Sequence, residues 1–119
     1  MRSRRSVRIL NQTRGTVLAE KAGIADSSTS RFMGLLGTRS LAQGSGLWIV
    51  PSQGVHTIGM QYAIDIVFLD RARRVLEMRN ALRPFRMTHL NWHAQSVIEL
   101  PAHTLEETST RVGDTLVMD

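Results

Sequence analysis

The sequence predicts a small α+β domain that is mainly β, an antiparallel barrel-like or sandwich-like sheet with one or two short helices. Six or seven short runs rich in β-branched and other apolar residues predict strands. Turn residues separate these runs, and no long alternation of strands with helices is present. The length of 119 residues suits one domain, which we place at residues 6–119 behind a flexible basic arm at residues 1–5.

A β-hairpin is predicted first, from residues 6–11 and 16–21. Both runs are β-rich, and the intervening Gly15 can adopt the positive φ that many tight turns require. A helix is expected next, over residues 27–36, because short polar side chains at its start can cap the free N–H groups of a first turn. Gly37 then ends the helical spacing of apolar residues.

Five further runs predict strands, at residues 46–51, 64–69, 74–82, 96–100 and 114–118. The second of these runs is apolar on both faces except for Asp65, which favours a central strand. The third alternates apolar and polar residues, which is typical of a half-exposed strand that completes a hairpin with the second. Residues 84–93 are expected to form an ordered loop. Thr104 and Glu107 match a capping box, so a short helix is expected there.

Composition excludes several classes of function. The chain has no cysteine, which rules out disulfides, cysteine-ligated zinc, iron–sulfur clusters and a thiol nucleophile. No apolar run approaches the roughly 18 residues of a membrane span. The apolar run near the N-terminus is broken by Arg8 and ends at Leu10, which is too short for a secretory signal. We therefore expect a cytoplasmic protein without membrane contact.

The net charge of +5 arises from 15 basic and 10 acidic residues. Arginines near the N-terminus account for most of this excess, so the body of the chain is nearly neutral. One basic cluster does lie in the body, formed by Arg71, Arg73, Arg74, Arg79, Arg83 and Arg86. Such a cluster could bind a phosphate backbone, but a charge run is more often a solvated face, so nucleic acid is a disfavoured partner.

Common catalytic motifs are missing, since the sequence has no G-x-S-x-G, phosphate-loop or dinucleotide-binding pattern. His89 and His93 have the spacing that brings two imidazoles onto one helical face, as a metal would require. Their surroundings do not predict a helix, and His103 could act as a third ligand only if the fold brought it close. The sequence therefore predicts no metal and no other cofactor.

Two carboxylates, Asp65 and Glu99, stand within apolar strand runs. A buried carboxylate must be paired, hydrogen-bonded or protonated, because an unpaired buried charge is too costly. Arg31 and His56 are candidate partners, and the four residues together form the candidate polar cluster. The cluster could be an acid/base or ligand-binding group in a cleft. The favoured interpretation is structural, with Asp65 and Arg31 as an ion pair that anchors the first helix.

Several segments resemble the DUF192 family, small bacterial and archaeal proteins, over about residues 28–118. The matching segments are RFMGLL, GLWIVP, VHTIGMQYAIDIVFLD, VIELPA and VGD, and the third is the most specific. The resemblance implies a compact, mainly β domain with short helices, and it implies no activity because the family has no established one. Its polar matching positions are Arg31, Asp65 and Glu99. The chain departs from the family at His103, where relatives typically have glycine.

The favoured function is a small non-catalytic ligand-binding or accessory module that holds a small polar molecule, such as a carbohydrate, or a protein partner. It predicts a concave pocket lined by Trp92 or Tyr62, the candidate stacking aromatics, with Arg31 or His56 at its floor. One alternative is a small enzyme whose acid/base groups come from the polar cluster. Another is nucleic-acid binding through the arginines of residues 71–86. Both a monomer and a homodimer are compatible with the sequence.

Overall fold

The computed structural model describes residues 6–26, 41–55 and 62–119. Within these residues the chain forms β1 (Ser6–Asn11), β2 (Thr16–Ala25), β3 (Ser45–Ile49), β4 (Ile64–Leu69), β5 (Val75–Leu82), β6 (Ser96–Pro101), α1 (Thr104–Glu107) and β7 (Leu116–Met118). The basic arm expected at residues 1–5 and the helix expected at residues 27–36 lie outside the described residues.

The strands of the described residues form one sheet with the order β5-β4-β6-β3-β2-β1-β7. Hairpins join β1 to β2 and β4 to β5, as predicted. One pair departs from the antiparallel expectation, since β2 and β3 run parallel with Lys21 opposite Ser45 and Ala25 opposite Ile49. A parallel pair requires a long connection, which the chain between Ala25 and Ser45 provides. Local turn signals identify hairpins but carry no information about how strands distant in sequence pair.

The sheet curls until its two edge strands meet at one end. Arg74, which directly precedes β5, forms a β-bridge with Thr115, which directly precedes β7. The Leu116 N–H donates to the Arg73 carbonyl oxygen at 2.9 Å. The sheet is therefore a half-barrel, which confirms the mainly β, barrel-like fold class.

Strand β4 lies between the two parts of the apolar core. All of its side chains are buried. Val67 and Leu69 belong to one cluster, to which every strand contributes, whereas Ile66 and Phe68 belong to a second cluster. Successive side chains of a strand project to opposite faces, so a strand covered on both faces needs apolar residues at nearly every position. The burial on both faces expected for residues 64–69 is confirmed, and β4 is an interior strand that lies next to the edge strand β5.

Helix α1 begins differently from the predicted capping box. Its N-cap residue is His103, which makes no side-chain cap hydrogen bond. The Thr104 hydroxyl donates to the Pro101 carbonyl oxygen at 2.7 Å instead of accepting a hydrogen bond from the first turn. The capping-box prediction is wrong, because Thr104 lies inside the first turn rather than before it.

His103 has a φ of 77°, a left-handed conformation that favours glycine. We expect His103→Gly to raise the free energy of unfolding by roughly 0.5–1 kcal/mol through release of this strain. The lost contact between His103 and Glu106 contributes little, since it spans 3.8 Å between two exposed side chains. Urea unfolding of both proteins measures the change, and a lower midpoint for the glycine variant at equal m-value would contradict the prediction.

Candidate functional site

Asp65 lies in β4 with its side chain fully buried. One carboxylate oxygen accepts a hydrogen bond from the Ala81 N–H at 2.8 Å, and the other accepts one from the Leu105 N–H at 2.9 Å. Leu105 lies in the first turn of α1, so Asp65 supplies the cap that His103 does not. These bonds tie β4 to β5 and to α1, which is a structural role. Arg31, the partner expected for Asp65, lies outside the described residues.

Asp65 and Glu99 project to opposite faces of the sheet. In the register between β4 and β6, Asp65 is opposite Leu100, whereas Glu99 is opposite Ile66. Residues that are opposite each other share a face, and neighbours along a strand do not. The structure therefore does not bring the two carboxyl groups of the predicted polar cluster together.

Glu99 is only 2% exposed. Its Oε1 atom has no hydrogen-bond partner within the described part of the chain. Burial raises the pKa of Glu99 to about 7, so a large share of the molecules carries a neutral carboxyl at neutral pH. Partial protonation of this kind lowers the cost of burying a carboxyl group whose Oε1 atom has no partner among the described residues. His56, the remaining member of the predicted cluster, lies outside the described residues.

A cleft of about 530 Å³ lies at the end of the sheet where β3 and β4 end and β6 begins. Its walls are residues 51–53, Arg71 and residues 92–95. The antiparallel register explains this arrangement, since Ile49 at the end of β3 and Leu69 at the end of β4 both lie beside the start of β6. Three segments that are far apart in the sequence therefore emerge at one edge of the sheet.

Hydrogen bonds hold the walls of the cleft together. The Ser52 N–H donates to the Gln95 carbonyl oxygen at 3.0 Å, and the Asn91 N–H donates to the Gln53 carbonyl oxygen at 2.9 Å. The Gln53 side-chain amide donates to the Trp92 carbonyl oxygen at 3.2 Å. The loops on the two sides of the cleft are thus bonded to each other directly, and the concave shape is formed without a ligand.

Trp92 and Arg71 have the largest side chains among the described lining residues of this cleft. The Trp92 side chain is 71% exposed, which is unusual for so large an aromatic ring. Arg71 makes no ion pair with any residue in the described parts of the chain. Tyr62 is also exposed, but it is not among the described lining residues. Of the two predicted stacking aromatics, the structure places Trp92 at the cleft.

Sequence reasoning does not assign Gln53, Arg71, His93 or Gln95 to one site. It groups Arg71 with the arginine cluster and His93 with a metal-ligand spacing. The signal that could have joined them is their position directly beside predicted strand ends. That signal is usable only when the strand pairing is known, because the pairing decides which strand ends meet.

Most members of the arginine cluster, namely Arg73, Arg74, Arg79, Arg83 and Arg86, interact with other groups of the protein. Arg74 contacts Asp70 at 3.3 Å and Arg79 contacts Glu77 at 2.7 Å. The Arg73 guanidinium lies 4.6 Å from the centre of the ring of Trp48, which is buried. These arginines stabilise the surface of the folded domain, so they are less available to an external phosphate backbone than the sequence run suggests.

His89 belongs to a polar cluster on β5 rather than to a helix. Its Nε2 atom lies 2.7 Å from a Glu77 carboxylate oxygen, and the Asn91 side-chain amide donates to the same carboxylate at 2.9 Å. Burial opposes ionisation of Glu77, but hydrogen bonds from Asn91 and His89 and the charge of Arg79 lower its pKa overall. The carboxylate thereby fastens the loop that precedes β6 onto β5.

Two further features were sought in the described residues, namely clusters of metal-ligating side chains and helices long enough to cross a membrane. No group of three or more His, Cys, Asp or Glu side chains within residues 6–26, 41–55 and 62–119 is arranged to hold a metal ion. No helix in the same ranges has the length and apolar character needed to cross a membrane.

Comparison with known proteins identifies relatives of the whole chain. Residues 9–118 match the model of the DUF192 family, described as "Uncharacterized ACR". An archaeal UPF0127 protein from Thermococcus sibiricus is 31% identical over 111 residues, which cover 89% of this chain and 71% of that protein.

Two crystal structures have the same fold. A protein of unknown function from Novosphingobium aromaticivorans matches with a TM-score of 0.77 at 18% identity, covering 94% of this chain and 83% of that one. A Sinorhizobium meliloti protein matches with a TM-score of 0.80 at 16% identity, covering 99% and 97%. The family match spans most of the sequence, and the half-barrel sheet is shared with both structures. The chain therefore belongs to DUF192, the family that includes the UPF0127 proteins.

Proposed function

We propose that this protein is a small non-catalytic module that binds a small polar ligand in the cleft beside the start of β6. The observation that carries this proposal is the pairing of an exposed Trp92 ring with an Arg71 that has no described counter-ion, across a preformed cavity of about 530 Å³. Cavities of roughly 300–1,000 Å³ are typical of small-molecule sites. A flat ring and a few convergent polar groups are the usual means of orienting a ligand such as a carbohydrate.

The chemistry of the cleft favours binding over catalysis. Its hydroxyl group, that of Ser52, donates to the Gly54 carbonyl oxygen at 2.9 Å and is turned toward the backbone rather than toward His93. A nucleophile needs a base within hydrogen-bond reach, and this pair does not provide one. The carboxyl groups expected for an enzyme, Asp65 and Glu99, project to opposite faces of the sheet and do not line the cleft.

Trp92→Ala is expected to weaken ligand binding roughly 3- to 10-fold, since an aromatic stacking contact contributes about 0.5–1.5 kcal/mol. Amide chemical-shift titration with a panel of neutral sugars, sugar acids, sugar phosphates and nucleotides measures the affinity and maps the contact. Shifts at Gln53 and at residues 92–95 are the expected result. Tyr62→Ala is the matched control, because Tyr62 is another exposed aromatic outside the described cleft lining.

Three outcomes would contradict the proposal. The first is a ligand whose shifts map to another surface. The second is a panel without any saturable binder, which would leave an accessory role with a protein partner as the function to test. The third is an equal loss of affinity in the Trp92 and Tyr62 variants, which would show that the ligand does not bind in this cleft.

A further inference from the structure

The geometry points to a ligand that carries a carboxylate or phosphate group, bound by Arg71, on a ring that stacks against Trp92. This inference rests on the proposed function and specifies the chemical class of the ligand. It makes Arg71 the residue that determines specificity for an anion, which separates this arginine from its neighbours in the 71–86 cluster.

The charge of Arg71 is not neutralised by the carboxylate next to it. Asp70 directly precedes Arg71, but its two carboxylate oxygens are engaged by Arg74. The Arg74 backbone N–H donates to Oδ1 at 2.9 Å, and the Arg74 Nε donates to Oδ2 at 3.3 Å. The turn therefore directs the Asp70 carboxylate toward Arg74, while Arg71 lines the cleft.

The described lining of the cleft contains no acidic residue. Besides Arg71 it includes His93 and Gln95, residues whose side chains can donate hydrogen bonds. A carboxylate already present in the lining would compete with an incoming anion, and here the described walls offer positive charge and neutral donors only. A planar guanidinium binds carboxylate and phosphate groups through two parallel hydrogen bonds, so an anion is the matching ligand group.

Trp92 accounts for the preference for a ligand that contains a ring. Its ring is 71% exposed, and its own carbonyl oxygen is held by the Gln53 side chain at 3.2 Å, so the backbone that carries the ring is fixed. An exposed flat ring in a cleft that also contains a cation favours a ligand with a ring and one charged substituent. A cavity of about 530 Å³ accommodates a molecule of that size.

The test measures the dissociation constants of three probes by isothermal titration calorimetry: glucuronate, glucose 6-phosphate and glucose. We expect at least one of the two anions to bind about tenfold or more tightly than glucose, with an affinity that weakens as salt is raised. Comparison of glucuronate with glucose 6-phosphate decides between a carboxylate and a phosphate. Arg71→Gln should weaken binding of the preferred anion roughly 10- to 100-fold, and should weaken binding of glucose by a much smaller factor.

Arg111→Gln is the matched control, since it removes the same charge from an exposed arginine that does not line the described cleft. Equal affinities for glucose and both anions, or an Arg71 variant that binds the anions as the wild type does, would overturn the anion inference while leaving the proposed binding function intact. A cleft that binds none of the three probes but binds another neutral molecule of the wider panel would overturn the anion inference in the same way. A wider panel with no binder at all contradicts the proposed function itself.

Discussion

Replacing Asp65 by asparagine should lower the free energy of unfolding by about 3–5 kcal/mol. The carboxylate accepts two backbone hydrogen bonds, a buried one from Leu105 and a partly buried one from Ala81. Each bond to a charged group contributes roughly 1.5–3 kcal/mol. An asparagine side chain can accept only one of them, and its amide would meet the second N–H donor to donor. The variant therefore leaves an N–H group without its partner, either the partly buried one on β5 or the buried one at the start of α1.

Urea unfolding followed by circular dichroism measures this change in stability. Asp70→Asn is the matched control, because Asp70 follows the same strand but is partly exposed, and asparagine can still accept the Arg74 N–H bond. We expect the control to cost under about 1 kcal/mol. A loss below about 1 kcal/mol for the Asp65 variant as well would contradict the anchoring role. If the folded Asp65 variant binds ligand as tightly as the wild type, Asp65 anchors β5 and α1 but takes no part in ligand binding at the cleft.

Asp114 is expected to make stability depend on pH in the acid range. The Asn11 side-chain amide donates to its Oδ2 at 2.9 Å, the Arg111 N–H donates to the same oxygen at 2.9 Å, and Arg14 binds both carboxylate oxygens at 3.0 Å. Burial opposes ionisation, but the hydrogen bonds from Arg14, Asn11 and Arg111, with the Arg14 charge, lower the pKa of Asp114 from 3.8 to about 2. The network joins the β1–β2 turn to the segment before β7.

A carboxyl whose pKa is lower in the folded protein stabilises it above the unfolded value and loses that contribution as pH falls toward the folded value. The contribution of Asp114 should therefore be complete above about pH 5 and disappear between roughly pH 4 and 2, with a size of about 2 kcal/mol. Urea unfolding of the wild type and of Asp114→Asn across pH 2–6 measures it.

The expected result is a stability gap between these two proteins that is widest at pH 6 and narrows toward pH 2. Glu106→Gln serves as the control, since Glu106 is an exposed carboxylate whose pair with His103 spans 3.8 Å. A gap for Asp114→Asn that stays constant over the whole range would show that the variant acts through packing rather than through the charge.

Much of the fold could be predicted from patterns among residues that are close together in the sequence. The hairpin of β1 and β2 could be predicted because its turn contains Gly15, which has a φ of 71° in the structure. The buried strand β4 could be predicted because a strand covered on both faces is apolar along its whole length. The exposure of Trp92 followed from the polar loop around it. Each of these features depends on residues that are close together in the chain.

Other features depend on which strands pair and which strand ends come together, and these features were decided by the tertiary structure alone. The sequence suggested Asp65 and Glu99 as one cluster, but the register between β4 and β6 directs them to opposite faces. It suggested a capping box at Thr104, but the cap comes from Asp65, which is 40 residues away in the chain. The cleft formed by Arg71 and residues 92–95 exists only because antiparallel pairing brings the ends of β3 and β4 to the start of β6. Local propensity acts over a few residues, whereas pairing between distant strands is selected by the packing of the entire core, which no short pattern encodes.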